Sequence, residues 1–185
     1  MLFFANVTTK DRGATDRLLT SVTNRLICNK IRILGALSPF QQSDTLGHCE
    51  SVLQLLPNGP VIPITQNLGK GSAACKMDAG ALEEAVGILT ARFALEGADL
   101  IVLNKFGLRE AEGHGFRALI ADALGCGIPV LLGVSDTHRP ALQRFTEGLI
   151  TNLPHDEKAI LEWCRRVVVQ LPAKAKIRKL DPPRK

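Results

Sequence analysis

Short apolar runs alternate along the chain with longer segments in which apolar residues recur every three or four positions. The short runs are typical of buried strands, and the longer segments have the spacing of one helix face. The predicted strands are 2–7, 31–37, 98–103 and 128–134. Predicted helices carry apolar stripes at 18–26, 82–93 and 116–124, before a short helix at Pro140 and a last helix over 156–170. This alternation predicts a three-layer α/β domain with a mainly parallel sheet.

The pattern changes in the middle of the chain. Two strand-like runs, 51–56 and 61–66, flank a turn at 57–60, which predicts an antiparallel hairpin inserted in the sheet. Pro60 and Pro63 lack the N–H that a central strand donates. We therefore expect the second run to lie at a sheet edge or to carry a bulge.

Composition is that of one ordinary folded domain, because 45% of the 185 residues are hydrophobic and 22% are charged. The net charge of +5 resides in residues 172–185, which hold six basic residues and one acidic residue. We expect a single domain over 1–171 and a basic, flexible tail over 172–185. A solvated terminus is the simplest interpretation of this tail, and an anionic partner or membrane surface is the alternative.

Several classes of function are not expected. The chain has 7 Phe, 1 Trp and no Tyr, so few rings are available for base stacking, and we expect no sequence-specific nucleic-acid binding. The longest apolar runs, such as 128–134, are far shorter than the roughly 20 residues that span a bilayer. With no signal-peptide pattern and no membrane span, we expect a cytoplasmic protein.

The five cysteines are scattered and show no C-x-x-C spacing, which fits a reducing compartment. Cys49 and Cys75 fall in loop-like segments and are candidate reactive thiols, although free cysteines are more often simply buried apolar residues. Whether these two thiols bind a metal together with His48 is left open by the sequence.

The loop between the first strand and the first helix is the main candidate binding site. Such a turn presents free N–H groups and the positive end of the helix dipole to an anion. Against the phosphate-binding pattern G-x-x-x-x-G-K-[ST], Gly13 takes the second glycine, Ala14 replaces the lysine and Thr15 supplies the hydroxyl. This is a degenerate Walker A loop, or alternatively an ordinary capped turn. The candidate anion-binding residues are Lys10, Arg12, Gly13, Ala14, Thr15 and Asp16.

Asn104 and Lys105 follow the strand 98–103, where a phosphoryl-transfer enzyme would carry carboxylates for Mg²⁺ and the attacking water. Lys105 is long enough to reach a phosphate or oxyanion, so a fixed positive charge could replace a metal. Glu110 is a candidate for the missing carboxylate, or else an ordinary helix-start residue.

Asp136 and Arg139 follow the strand 128–134 and are candidates to contact a base, ribose or phosphate. In a parallel sheet this loop meets the other two candidate segments at one edge.

Five segments together resemble a known family: Thr8–Asp16, Leu56–Gly59, Ile64–Gly69, Cys75–Glu83 and, most specifically, Asn104–Phe116. This is an uncharacterised bacterial domain family whose members are often labelled molybdenum-transporter ATP-binding-like. More distantly, the order of elements is similar to the small P-loop nucleoside-triphosphatases first described from thermophiles. The resemblance implies a P-loop-NTPase-like fold, binding of ATP, GTP or an oxyanion, and a link to molybdate or molybdenum-cofactor handling.

The leading hypothesis is a protein of P-loop ancestry that binds a nucleotide or a small-molecule oxyanion and hydrolyses it weakly at most. One alternative is an active nucleoside-triphosphatase or phosphoryl-transfer enzyme in which Lys105 and Glu110 take over as catalytic residues. Another is a non-catalytic module that senses or carries molybdate. Because carboxylates are missing from the strand tip, Mg²⁺ is doubtful as a cofactor.

Overall fold

The computed structural model describes residues 3–8, 13–39, 51–66 and 76–170. Its strands are β1 (Phe4–Val7), β2 (Ile33–Leu37), β3 (Val52–Leu56), β4 (Val61–Pro63), β5 (Thr65–Gln66), β6 (Lys76–Met77), β7 (Leu100–Phe106), β8 (Val130–Val134) and β9 (Thr151–Leu153). Its helices are α1 (Ala14–Cys28), α2 (Ala79–Glu96), α3 (Leu108–Ala111), α4 (Arg117–Gly125), α5 (Arg139–Phe145) and α6 (Glu157–Val169).

The described part of the chain forms a seven-stranded sheet in the order β4-β3-β2-β7-β8-β1-β9. Strands β2, β7, β8, β1 and β9 run parallel, whereas β3 and β4 form the antiparallel hairpin. The predicted architecture is therefore confirmed. Strand β4, which ends in Pro63, lies at the edge of this sheet, as its prolines predicted.

Successive strand residues point to opposite faces of the sheet. Because the residues on both faces are apolar, a layer of helices covers each face. In β7, Leu100 and Val102 pack in one apolar cluster, with α1 and α6. Ile101 and Leu103 pack in the other, with α2 and α4. Every residue of β2 and β8 is buried, as expected for central parallel strands with helices on both faces.

An ion pair fixes the amino end of β7. Asp99 is buried, and its carboxylate accepts hydrogen bonds from the backbone N–H of Arg32 at 3.0 Å and from its guanidinium at 2.8 Å. Because Arg32 immediately precedes β2, the pair ties together the amino ends of two neighbouring parallel strands.

Strand β9 and the four-residue helix α3 were not predicted from the pattern. Both are too short to show a periodicity of their own. Within the ranges given above, no helix is long and apolar enough to cross a membrane. The predicted tail, 172–185, lies outside the described residues.

The α1 face of the core provides a test of this packing. Leu19 is fully buried in the same cluster as Trp163, whereas Ile27 on the same helix is 38% exposed. We expect Leu19→Ala to lower the free energy of unfolding by about 2–5 kcal/mol, because it leaves a cavity. Ile27→Ala is the matched control and should cost much less. Denaturant unfolding followed by Trp163 fluorescence measures both, and equal losses would contradict the assigned faces.

A candidate anion site at the carboxyl ends of the parallel strands

The carboxyl ends of the five parallel strands meet at one edge of the sheet, where helix α1 begins. Polar residues stand at or just beyond four of these ends: Thr8 after β1, Ser38 after β2, Asn104 and Lys105 within the last residues of β7, and Ser135 after β8. This is the edge at which open parallel sheets usually bind ligands.

Helix α1 begins with its first-turn amides oriented toward this edge. Gly13 precedes the helix with φ 72°, a left-handed conformation that favours glycine, and its carbonyl accepts the N–H of Arg17 at 3.1 Å. The N–H groups of Ala14, Thr15 and Asp16 have no carbonyl partner within the helix, and Gly13 has no side chain to cap them. They form the positive end of the helix dipole.

A second glycine brings α1 against the tip of β7. A Cβ atom at Gly133 in β8 would overlap the backbone oxygen of Asn104 and lie 2.8 Å from Cγ2 of Thr15. Since glycine has no Cβ, the first turn of α1 packs directly on β8, next to the backbone of Asn104. The proximity of the first turn of α1 to the tip of β7 therefore has a steric basis.

Charges at this edge act on one another. Burial raises the pKa of the Asp16 carboxyl above its ordinary value of 3.8, and the positive charges of Lys105 and Arg17 offset part of that rise. Lys105 itself is exposed. Because its charge acts on Asp16, the Lys105 side chain lies near the first turn of α1.

Two buried polar atoms at this edge have no hydrogen-bond partner in the described part of the chain, Oδ1 of Asn104 and Oγ1 of Thr8. The side-chain amide nitrogen of Asn104 donates to Oγ of Ser38 at 2.6 Å, so this nitrogen points toward the end of β2. Buried polar groups are seldom left without a partner. The described residues therefore leave the hydrogen bonding at this edge incomplete.

The described residues at the tip of β7 lack the carboxylates that usually hold Mg²⁺. Mg²⁺ is usually held through carboxylates together with substrate phosphates. The tip of β7 instead carries an amide and the ammonium of Lys105, and over the described ranges no three His, Cys, Asp or Glu side chains group as metal ligands. We therefore derive no step through a metal.

Glu110, predicted as a replacement carboxylate, has its oxygens engaged by the backbone. It is 4% exposed, and it accepts N–H groups from Gly107 at 2.9 Å and from Phe116 at 3.1 Å. A carboxylate in this environment stabilises a loop. The catalytic role of Glu110 stays a prediction.

The loop after β8 contains polar residues that the sequence analysis missed. Asp136 and Arg139, the predicted contacts, form an ion pair with each other at 3.1 Å. In the same loop, Oγ of Ser135 lies 3.0 Å from Nδ1 of His138. Ser135 and Ser38 share one signal that could have identified them, since each directly follows a predicted strand.

Four predicted residues lie outside the described residues: Lys10, Arg12, Cys49 and Cys75. Their predicted roles stay predictions. Among the described cysteines, Cys28 and Cys126 are exposed at helix ends, whereas Cys164 is buried, and that burial raises its thiol pKa to about 12.

The fold has a counterpart among solved structures. It is similar to the solution structure of a human cancer-related nucleoside triphosphatase, with a TM-score of 0.58 over 90% of this chain and 97% of that chain. The two sequences are 14% identical, so this similarity concerns the fold alone.

The chain belongs to the family described as protein of unknown function (DUF2478), whose model matches residues 4–163. It is also 41% identical over 110 residues to molybdenum import ATP-binding protein ModC 2 of Bradyrhizobium diazoefficiens. That alignment spans 60% of this chain and 12% of the ModC 2 protein.

The contact at Gly133 predicts a specific loss of stability. Gly133→Ala should lower the free energy of unfolding by about 1–3 kcal/mol, because the new methyl group must displace Thr15 and the backbone of Asn104. Gly87→Ala on α2 is the control, since nothing lies within 4 Å of a Cβ there. The control should be stabilised by about 0.5–1 kcal/mol, as Ala forms helix better than Gly. Similar losses in denaturant unfolding for both variants would exclude the contact.

The raised pKa of Asp16 predicts how stability depends on pH. A carboxyl whose pKa is raised by folding contributes stability that is present below its unfolded value, 3.8, and is lost as the pH rises through the folded pKa. Asp16→Asn should therefore be more stable than the wild type at neutral pH, with the difference vanishing below pH 3.8.

Thermal unfolding at several pH values measures this difference. Asp122→Asn, on the exposed face of α4, removes the same charge elsewhere and should show no such pH-dependent gain. A wild type more stable than Asp16→Asn at neutral pH would contradict the assignment.

Proposed function

We propose that this domain binds an anion, either the phosphates of a nucleotide or a free tetrahedral oxyanion, at the first turn of α1 facing the tip of β7. The observation that carries the proposal is the close packing of the first turn of α1 on β8 beside the backbone of Asn104, because it brings the neighbouring Lys105 near the positive end of the helix. Anions are stabilised where a helix N-terminus and a basic side chain converge.

Each group around the site has a role in this proposal. The amides of Ala14, Thr15 and Asp16 donate hydrogen bonds to the anion, and Lys105 supplies the positive charge that a Walker A lysine would otherwise provide. Thr15 and Asn104 add a hydroxyl and an amide at the same edge. Lys10 and Arg12 add further positive charge from the preceding loop. The Asp136–Arg139 pair contacts the remainder of a nucleotide.

The charge pattern supports binding more strongly than hydrolysis. A phosphoryl-transfer enzyme needs a group that positions water and a centre that neutralises developing charge. Lys105 offers a charge that can neutralise the developing negative charge. Glu110 is the candidate to position water, but both of its carboxylate oxygens already accept backbone N–H groups. We therefore propose weak hydrolysis at most, and no bound Mg²⁺.

Similarity to ModC 2 favours a second candidate, in which the oxyanion is molybdate and the domain senses or carries it. Molybdate is tetrahedral and doubly charged, so the same amides and Lys105 suit it. In this version residues 1–171 act as one binding unit, with the basic segment 172–185 as an extension.

Thermal shift and calorimetric titration with phosphate, molybdate, ATP and GTP, each with and without Mg²⁺, test the proposal. A ligand at 100 times its Kd stabilises by about 2.7 kcal/mol, which corresponds to roughly 5–10 °C for a domain of this size. We expect such a shift without Mg²⁺. Lys105→Gln should abolish it, while Lys30→Gln, at the opposite end of α1, should preserve it.

The pattern of responses separates the candidates. Stabilisation by molybdate with no nucleotide effect identifies the oxyanion module, and stabilisation by ATP or GTP without phosphate release identifies a nucleotide binder. Rapid, Mg²⁺-dependent phosphate release would contradict the proposal. So would equal binding by the Lys105 and Lys30 variants.

A further inference from the structure

A buried carboxylate closes the loop that follows the tip of β7. The two oxygens of Glu110 accept the backbone N–H groups of Gly107 and Phe116, at 2.9 and 3.1 Å. Burial of a carboxylate costs free energy unless hydrogen bonds compensate for the lost water, and here two amides do so. The side chain thereby joins both ends of the segment 107–116.

The surroundings of this carboxylate leave it little freedom. Gly115 has φ +59°, and a Cβ atom there would overlap the Glu110 carboxylate. Arg117 donates to the backbone oxygen of Glu110 at 3.3 Å, and its guanidinium lies 4.4 Å from the centre of the Phe145 ring. That ring stacks on Phe106, the last residue of β7, with centroids 5.9 Å apart. The closed loop is therefore packed against the end of the strand.

The same end of β7 carries the two residues of the anion site. Pairing between β7 and β8 is regular up to Leu103 and resumes with Phe106 opposite Val134, with a shift of register between them. Asn104 and Lys105 occupy that irregular stretch. A bulge of this kind redirects a side chain, so the residues that flank it help to set its direction. On the far side of the bulge, the fixed residues are Phe106 and Gly107.

We propose that Glu110 is a positioning residue, which holds the β7 bulge through Gly107 and Phe116 so that Lys105 faces the first turn of α1. It touches no ligand. The inference rests on the proposed function for its consequence, since the group it positions is the cation of the anion site. The proposal also gives a role to the segment 104–116, which carries the family resemblance most specifically.

Asp16 reports the position of Lys105 without any ligand. Lys105 and Arg17 act on the Asp16 carboxyl, so displacement of the Lys105 ammonium should raise the pKa of Asp16 further. Carbon-detected NMR titration measures that pKa in the wild type and in Glu110→Gln. In Glu110→Gln, the new NH₂ group faces a backbone N–H and cannot accept its hydrogen bond. A third variant, Lys105→Gln, gives the Asp16 pKa expected when the lysine charge is lost completely.

Asp99→Asn is the matched control, because Asp99 is also a buried carboxylate that accepts a backbone N–H, but at the opposite end of β7. Both substitutions should lower Tm. Only Glu110→Gln should raise the pKa of Asp16, and only it should weaken binding of inorganic phosphate, by about tenfold or more, at a temperature where circular dichroism shows it folded. Asp99→Asn should bind within twofold of the wild type.

Arg117→Gln provides a milder variant if Glu110→Gln does not fold. It removes the donor to the Glu110 carbonyl and should move the Asp16 pKa in the same direction by less. If the Asp16 pKa in the folded variants equals that in Asp99→Asn, the inference is overturned. If the wild type binds none of the anions, the proposed function fails, while the Asp16 comparison still decides the role of Glu110.

Discussion

The positive charge of Lys105 at the first turn of α1 is the interaction on which the site depends. Asp16 in that turn is partly buried, and burial opposes its charge more strongly than Lys105 and Arg17 favour it. Lys105 offsets part of that cost for Asp16, and the same lysine is the cation that the proposed site presents to a bound anion.

Small residues and one buried acid produce that geometry. Gly13 allows the turn that starts α1, and Gly133 lets Thr15 approach the backbone of Asn104. Glu110 fixes the loop beyond β7. None of these residues carries the positive charge, but each constrains a segment of the proposed site.

Much of the fold could be predicted from the sequence, because buried parallel strands are continuous apolar runs and their covering helices show a clear stripe. Strand β9 could not, since Thr151-Asn-Leu153 is a short edge strand with an exposed Asn152 and no apolar run. The placement of the first turn of α1 beside Asn104 could be expected from parallel topology. The hydrogen bonds of the Glu110 carboxylate could not be predicted in this way. Its partners are backbone N–H groups, and residue types do not show which of these groups a side chain will meet.

The most direct test of the central claim is an amide NMR titration with phosphate and with molybdate. If the anion binds at the first turn of α1, saturable shifts should appear in the backbone N–H signals of Ala14, Thr15 and Asp16, together with that of Lys105, at a common affinity. Saturable shifts confined to the amino ends of the strands, around Arg32 and Asp99, with the first turn of α1 unchanged, would contradict it.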